Sequence, residues 1–222
     1  MTRTVQPAGT RGSMKWIQRC VNQFPDLLND ALLPRLNGAA HIHWLSPLRE
    51  DAYAEYRDSA FLHRVGHPHV SPALQDFWPR RGPQWDALGR SDKGDVLLVE
   101  AKAHIPELHS SPSAASAASL LRIQAALAET AAAFGAPADA DWHTNFYQYA
   151  NRLAHLYLLR REGVAAWLVL VSFVGDQDMR GPSDAAAWEA AYETVHATLG
   201  IRQDAPLLAH VVHVFPDVRA LA

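Results

Sequence analysis

The apolar positions along this chain change their spacing several times, and each spacing predicts an element. Trp16, Ile17, Cys20 and Phe24 recur at helical intervals behind Ser13, which reads as an N-cap. Pro25 then opens a second helical piece through Leu27, Leu28, Ala31 and Leu32. HIHWLSP suits a short strand or an extended link. Ser46 caps Pro47 at the first position of a predicted helix that runs to about Val65 and stops at Gly66. The following stretch, HPHVSPALQDFWPRRGPQ, is proline-rich and reads as irregular, with Phe77 and Trp78 able to enter a first strand.

WDALGR and DVLLVEAKAH flank SDKG, a turn-forming cluster, so the two runs predict an antiparallel hairpin. HSSPSAASAAS is rich in small residues and reads as a loop or a helix lead-in. Helical spacing returns from Leu120 to Phe134 and from about Trp142 to Glu162, with Gly163 as the stop. AAWLVLVSFVG is a buried strand, a Ser183-capped helix reaches Leu199, and LLAHVVHVF supplies a last strand. Helices, hairpin, helices, strand, helix and strand in that order predict an α/β fold with a mixed β-sheet flanked by helices.

Composition narrows the classes. The 222 residues, 49% of them apolar and 19% charged, suit one domain over 14–222, behind a disordered leader at 1–13. That leader lacks the apolar segment of a secretory signal, and no apolar run reaches the roughly 20 residues of a membrane span, so a cytoplasmic protein with no membrane partner is expected. A single cysteine, Cys20, excludes an intramolecular disulfide and any multi-cysteine zinc site; on its helix it reads as a buried thiol. The formal charge of −3 supplies no global basic field, so any nucleic-acid contact has to be local.

One feature of the pattern breaks the core logic. Val96 to Val99 is a continuous apolar run, yet Glu100 and Lys102 follow where more hydrocarbon is expected. Residues two apart on a strand share a face, so Glu100 and Lys102 point one way and Ala101 the other, and Asp86 on the preceding strand lies beside them if the register is right. Two acids gathered there need a cation or a proton. A hard divalent ion satisfies both through oxygen ligands and lowers the pKa of a bound water, and a neighbouring lysine can orient or deprotonate that water or steady a phosphorane. Only three of the 20 basic residues are lysines, Lys15, Lys93 and Lys102, which makes the choice of Lys here mildly informative. The bland reading is a solvated Glu/Lys pair at the mouth of a strand.

PQWDALGRSDKGDVLLVEAKAH resembles the signature of the PD-(D/E)xK nuclease superfamily, sharply over the hairpin and loosely from about residue 48 to 175. The resemblance implies a restriction endonuclease-like three-layer core, with Asp86 and Glu100 as metal ligands and Lys102 as the catalytic lysine. Pro83 stands three residues before the Asp instead of directly before it, a departure from the signature. Many members carry a further Glu on the helix before the sheet. Helical projection of residues 48–65 sets Glu55 on the inward stripe with Leu48, Ala52, Ser59 and Leu62, so Glu55 is the third acid and ligand, with Asp51 as second choice. REDAYAEYRD also looks like a solvated charged helix.

On the Trp142–Glu162 helix, Gln148, Asn151, Arg152 and His155 gather opposite the apolar stripe. Gln148 and Arg152 are candidates to hold a phosphate or position Lys102, and His104, two beyond Lys102, to touch substrate; a solvent face is the plain alternative. Arg80 and Arg81 could grip backbone phosphates, although a surface role suits a lone RR pair as well. HIH and HPH have a spacing that suits zinc on a strand, without a partner set nearby. The expected function is a Mg²⁺-dependent nuclease, with Mn²⁺ able to substitute, acting on phosphodiester bonds in DNA; cutting two strands with one site per chain favours a homodimer. The alternatives are an inactive nucleic-acid or partner-binding module on the same fold, and a small-molecule or zinc hydrolase using the histidine pairs.

Overall fold

The computed structural model describes residues 2–36 and 38–221. A strand β1 (Thr2–Thr4) precedes helices α1 (Gly12–Gln23) and α2 (Asp26–Leu32), and strand β2 (Ile42–Ser46) follows. Next come β3 (Glu55–Arg57), α3 (Ser59–Arg64) and α4 (Ser71–Phe77). The hairpin is β4 (Ala87–Ser91) and β5 (Val96–Lys102), followed by α5 (Ala117–Ala133) and α6 (Tyr147–Arg161). The chain closes with β6 (Ala166–Ser172), α7 (Ala185–Leu199) and β7 (Val211–Val214). This is α/β architecture, with one five-stranded mixed sheet in the order β2-β4-β5-β6-β7 and a separate β1-β3 pair.

The sheet is antiparallel from β2 to β5 and parallel from β5 to β7. Strand alternation divides the hydrocarbon between two faces. Leu97, Val99 and Ala101 of β5 join Val169 and Val171 of β6 under Trp16, Ile17, Cys20 and Leu28 of α1 and α2. Val96 and Leu98 join Leu168 and Leu170 on the opposite face, under Leu153 and Leu156 of α6, Leu127 of α5 and Trp188 of α7. Each fully buried Leu or Val contributes roughly 1.5–3 kcal/mol, so the four buried Leu and Val residues on each of β5 and β6 anchor the domain. Cys20 is the expected buried thiol. Among the described residues no helix is long and apolar enough to cross a membrane.

Several expectations are corrected. The predicted helix from Pro47 to Val65 is absent. A short 3-10 turn (Arg49–Asp51), strand β3 and the brief α3 replace it, because Ala52, Tyr53 and Asp58 all take positive φ, which a right-handed helix does not accept. The residues expected as a disordered leader supply β1, which pairs with β3 through Thr2↔Arg57 and Thr4↔Glu55. Residues 68–77 are helical instead of irregular, with Phe77 closing α4 and Trp78 following it, so neither enters a strand. Ser13 lies inside α1 and bonds Glu107 instead of capping, and Asp184, not Ser183, caps α7 by accepting from the Ala187 N–H. The Trp142–Glu162 helix starts only at Tyr147.

Candidate active site

The hairpin sets the geometry. Ser91 and Asp95 close its turn: the Ser91 N–H donates to the Asp95 carbonyl at 2.9 Å, and the Ser91 hydroxyl to the Asp95 carboxylate at 2.6 Å. Gly94, at φ +92, supplies the left-handed residue that this turn requires. The register pairs Ala87 with Val99, and the Asp86 N–H donates to the Val99 carbonyl at 3.2 Å. Asp86 therefore lies opposite Glu100, on the face shared with Lys102. β4 supplies no backbone carbonyl for the Ala101 N–H, and Asp86 Oδ2 accepts from it at 2.7 Å. The carboxylate of Asp86 thus completes the ladder where the strand itself stops.

Glu100 and Lys102 are not a solvated pair at the mouth of a strand; they are 4% and 8% exposed. Glu100 Oε1 accepts from Lys102 Nζ, and Oε2 accepts from Arg152 Nε at 2.6 Å. Lys102 Nζ also donates to Gln148 Oε1 at 3.0 Å. Arg152 is held on three further sides: it donates to Asn151 Oδ1 at 2.9 Å and to the Gln84 carbonyl at 3.0 Å, and its guanidinium lies 5.0 Å from the centre of the Trp85 ring. α6 is enclosed on nearly all sides, so Asn151, Arg152 and His155 are buried instead of forming a solvent face.

Glu55 reaches this cluster from β3, not from the helix that its spacing suggested. Its Oε2 accepts from Gln84 Nε2 at 2.6 Å and from Gln6 Nε2 at 2.8 Å. Asp51, the second choice, turns elsewhere and pairs with Arg3 and Tyr56. His104 pairs with Glu107 just beyond the end of β5. Glu55, Asp86, Gln148 and Arg152 line one cleft of about 480 Å³, and Glu100 and Lys102 lie behind Arg152 and Gln148. Gln84 and Gln6 had no signal in the sequence beyond, for Gln84, standing two residues before Asp86.

Charge in the cluster is unbalanced, with three carboxylates (Glu55, Asp86, Glu100) against two cations (Lys102, Arg152). Burial and then Glu100 push the Asp86 carboxyl up to about 8. Burial also lifts Glu55, against the pull of Gln84 and Gln6. Burial alone would lift Glu100 too, but Arg152 and Lys102 more than offset it and hold that carboxyl below its ordinary value. Burial opposes the charge on Lys102, yet Glu100 and Asp86 prevail and raise it, so Lys102 is an ammonium at neutral pH.

The donor set fits a hard divalent cation in one respect. Asp86 and Glu55 each accept through Oδ2 or Oε2, and magnesium needs only one or two carboxylates beside water and phosphate oxygens. Among the described residues no group of three or more His, Cys, Asp or Glu side chains is close enough to hold an ion alone. Both oxygens of Glu100 are engaged, so a cation there competes with Lys102 and Arg152. The HPH rings of His67 and His69 are 5.5 Å apart, but among the described residues no third ligand joins either histidine pair. Comparison of the chain with protein-family models, with curated proteins and with solved structures finds no match.

Proposed function

We propose that the chain is a metal-dependent nuclease that hydrolyses phosphodiester bonds in DNA, on a restriction endonuclease-like core. The observation that carries this reading is the cross-strand placement of Asp86 opposite Glu100 with Lys102 two residues on, behind a cleft that Asp86 and Glu55 line. A magnesium or manganese ion held by Asp86 and Glu55, with Glu100 joining only where it releases Lys102 or Arg152, would supply Lewis acidity toward a phosphoryl oxygen and a water of lowered pKa.

The chain's own groups do the rest. An ammonium has three donors, and Lys102 Nζ spends two of them on Glu100 Oε1 and Gln148 Oε1. The third is free to orient a water or to meet charge developing on a phosphoryl oxygen. Paired with Glu100 and fixed by Gln148, the Lys102 ammonium suits electrostatic stabilisation and orientation of the attacking water. Arg152 positions Glu100, and Glu100 in turn positions Lys102. Gln148 fixes Lys102 from α6, whose first turn is tied to the loop after β5 by the Gln148 N–H donating to Ser110 Oγ at 2.8 Å.

One observation favours a second reading, a nucleic-acid-binding module without turnover: the Glu100 carboxylate is already satisfied by two cations. Incubation with plasmid, linear and single-stranded DNA in Mg²⁺ or Mn²⁺ against EDTA separates the two. We expect metal-dependent cleavage that drops by about a hundred-fold or more in Lys102→Ala with unchanged circular dichroism. We also expect metal binding, followed by calorimetry, to disappear in Asp86→Ala. A Lys102→Ala variant that cuts as fast as the parent removes the assigned role, and binding without cutting by the parent supports the module.

A further inference from the structure

We infer that the cleft receives a single-stranded polynucleotide whose backbone passes Tyr147 and is gripped by Arg80 and Arg81. What happens to the strand at Asp86 and Lys102 rests on the nuclease reading; that it binds along this path does not.

The cleft does not end at Arg152. Tyr147, the first residue of α6 and partly exposed, lines both it and a second depression of 360 Å³. The second depression runs between Arg80 and Arg81 on one side and Ser113, Ser116 and Ser119 on the other. Both arginines are exposed, and neither takes part in an ion pair among the described residues. Their loop is nevertheless held in place. Asp58 accepts from the Gly82 N–H at 2.9 Å and from the Arg81 N–H at 3.3 Å. Arg81 sits at φ +68, and a Cβ on Gly82 would stand 3.2 Å from His155 Nε2, so glycine lets the loop lie directly against α6. A strained backbone pinned to the core, presenting two unpaired guanidinium groups beside a cleft, is the form of a ligand clamp.

The chemistry of the path selects a single strand. Binding a duplex draws on many phosphate contacts over a broad basic surface, and this chain carries a formal charge of −3. Past Arg80 the surface turns mixed, with Asp58 and Asp76 lining the next depression, so the basic stretch is short. Small side chains on one wall, an aromatic ring at the junction and two phosphate-seeking arginines suit an unpaired strand, in which base stacking adds affinity that does not depend on charge.

The test is fluorescence anisotropy of the full chain in EDTA, so that binding is read without cleavage, using a labelled oligothymidylate and a mixed-sequence duplex of equal length. We expect the single strand to bind about ten-fold more tightly than the duplex. Arg80→Ala with Arg81→Ala should weaken it about ten-fold and flatten the slope of log affinity against log salt by about 1.4, the value for two phosphate contacts on a single strand. Tyr147→Leu should lose about ten-fold while Tyr147→Phe keeps parental affinity. Equal or tighter duplex binding, no binding of either probe, or an unchanged affinity in the double arginine variant overturns the inference. A parent that binds the single strand tightly and cuts nothing in Mg²⁺ or Mn²⁺ overturns the nuclease reading alone. A parent that cuts DNA while failing the strand comparison overturns this inference alone.

Discussion

The two faces of β5 make opposite choices in the same seven residues. Toward α1 and α2, Leu97, Val99 and Ala101 are hydrocarbon to the end. Toward α6, Val96 and Leu98 give way to Glu100 and Lys102, equally buried but ionic, and β6 follows suit by setting Ser172 beside Lys102 where Val171 fills the other face. Burying charge is costly, and a chain able to fill one face with hydrocarbon could have filled both. The ionic half is therefore better explained by chemistry than by stability.

That contrast can be broken most severely at Glu100. Glu100→Ala leaves Lys102 and Arg152 buried without their carboxylate, and we expect a loss of about 4 kcal/mol in urea unfolding. Replacing the whole group, as Glu100→Leu with Lys102→Met and Arg152→Met, should restore stability to within about 1 kcal/mol of the parent while abolishing cleavage. A triple variant as unstable as Glu100→Ala would mean that the charges hold the fold, and the argument from chemistry would fail.

On the apolar face, Leu97→Ala should cost about 3 kcal/mol through lost transfer energy and a cavity, with cleavage unchanged at temperatures where the variant is folded. On the other face, acid reaches His155, buried among Phe61, Trp78 and Trp85. Burial, with Arg152, holds its imidazole down at about 4 against an unfolded value of 6.5. The unfolded chain thus binds the proton first. The stability is complete above pH 6.5 and falls as pH drops toward 4, by about 3 kcal/mol from this group at the low end. Asp86, held up at about 8, acts in the opposite direction over the same range, so the contribution of His155 is read as the stability difference between His155→Phe and the parent, which should change by about 3 kcal/mol between pH 7 and pH 4; a difference that does not change with pH would remove His155 as a source. The smallest expected change is Gln148→Ala, about 1 kcal/mol for one neutral partner of Lys102, with a larger effect on cleavage than on unfolding.

How legible all this was in the sequence varied with how local the physics is. The hairpin could be read because SDKG demands a turn and alternation sets the faces, so Asp86, Glu100 and Lys102 could be assembled from spacing alone. Glu55 was picked out for the wrong reason. A helical projection points it inward, whereas it arrives on β3, whose partner β1 (Thr2–Thr4) precedes it by about 50 residues. No local window contains that pairing, and the polar run around Glu55 has ordinary helical composition. For the polar side of α6 the sequence leaves two readings open, a site face that includes Gln148 and Arg152 or a solvent face, because polar residues on one side of a helix are compatible with both; in the fold that side meets the ionic face of the sheet.

By itself the sequence determined the α/β order of elements, the central hairpin and the face that Asp86, Glu100 and Lys102 share, because turn chemistry and a two-residue period act over a few positions. Only the tertiary structure decided that Glu100 is clasped by Arg152, that Glu55 is steadied by Gln6 and Gln84, and that Arg80 and Arg81 stand beside the cleft. Those contacts join residues from 29 to 52 positions apart, and what brings them together is the closure of the core, which no periodicity records.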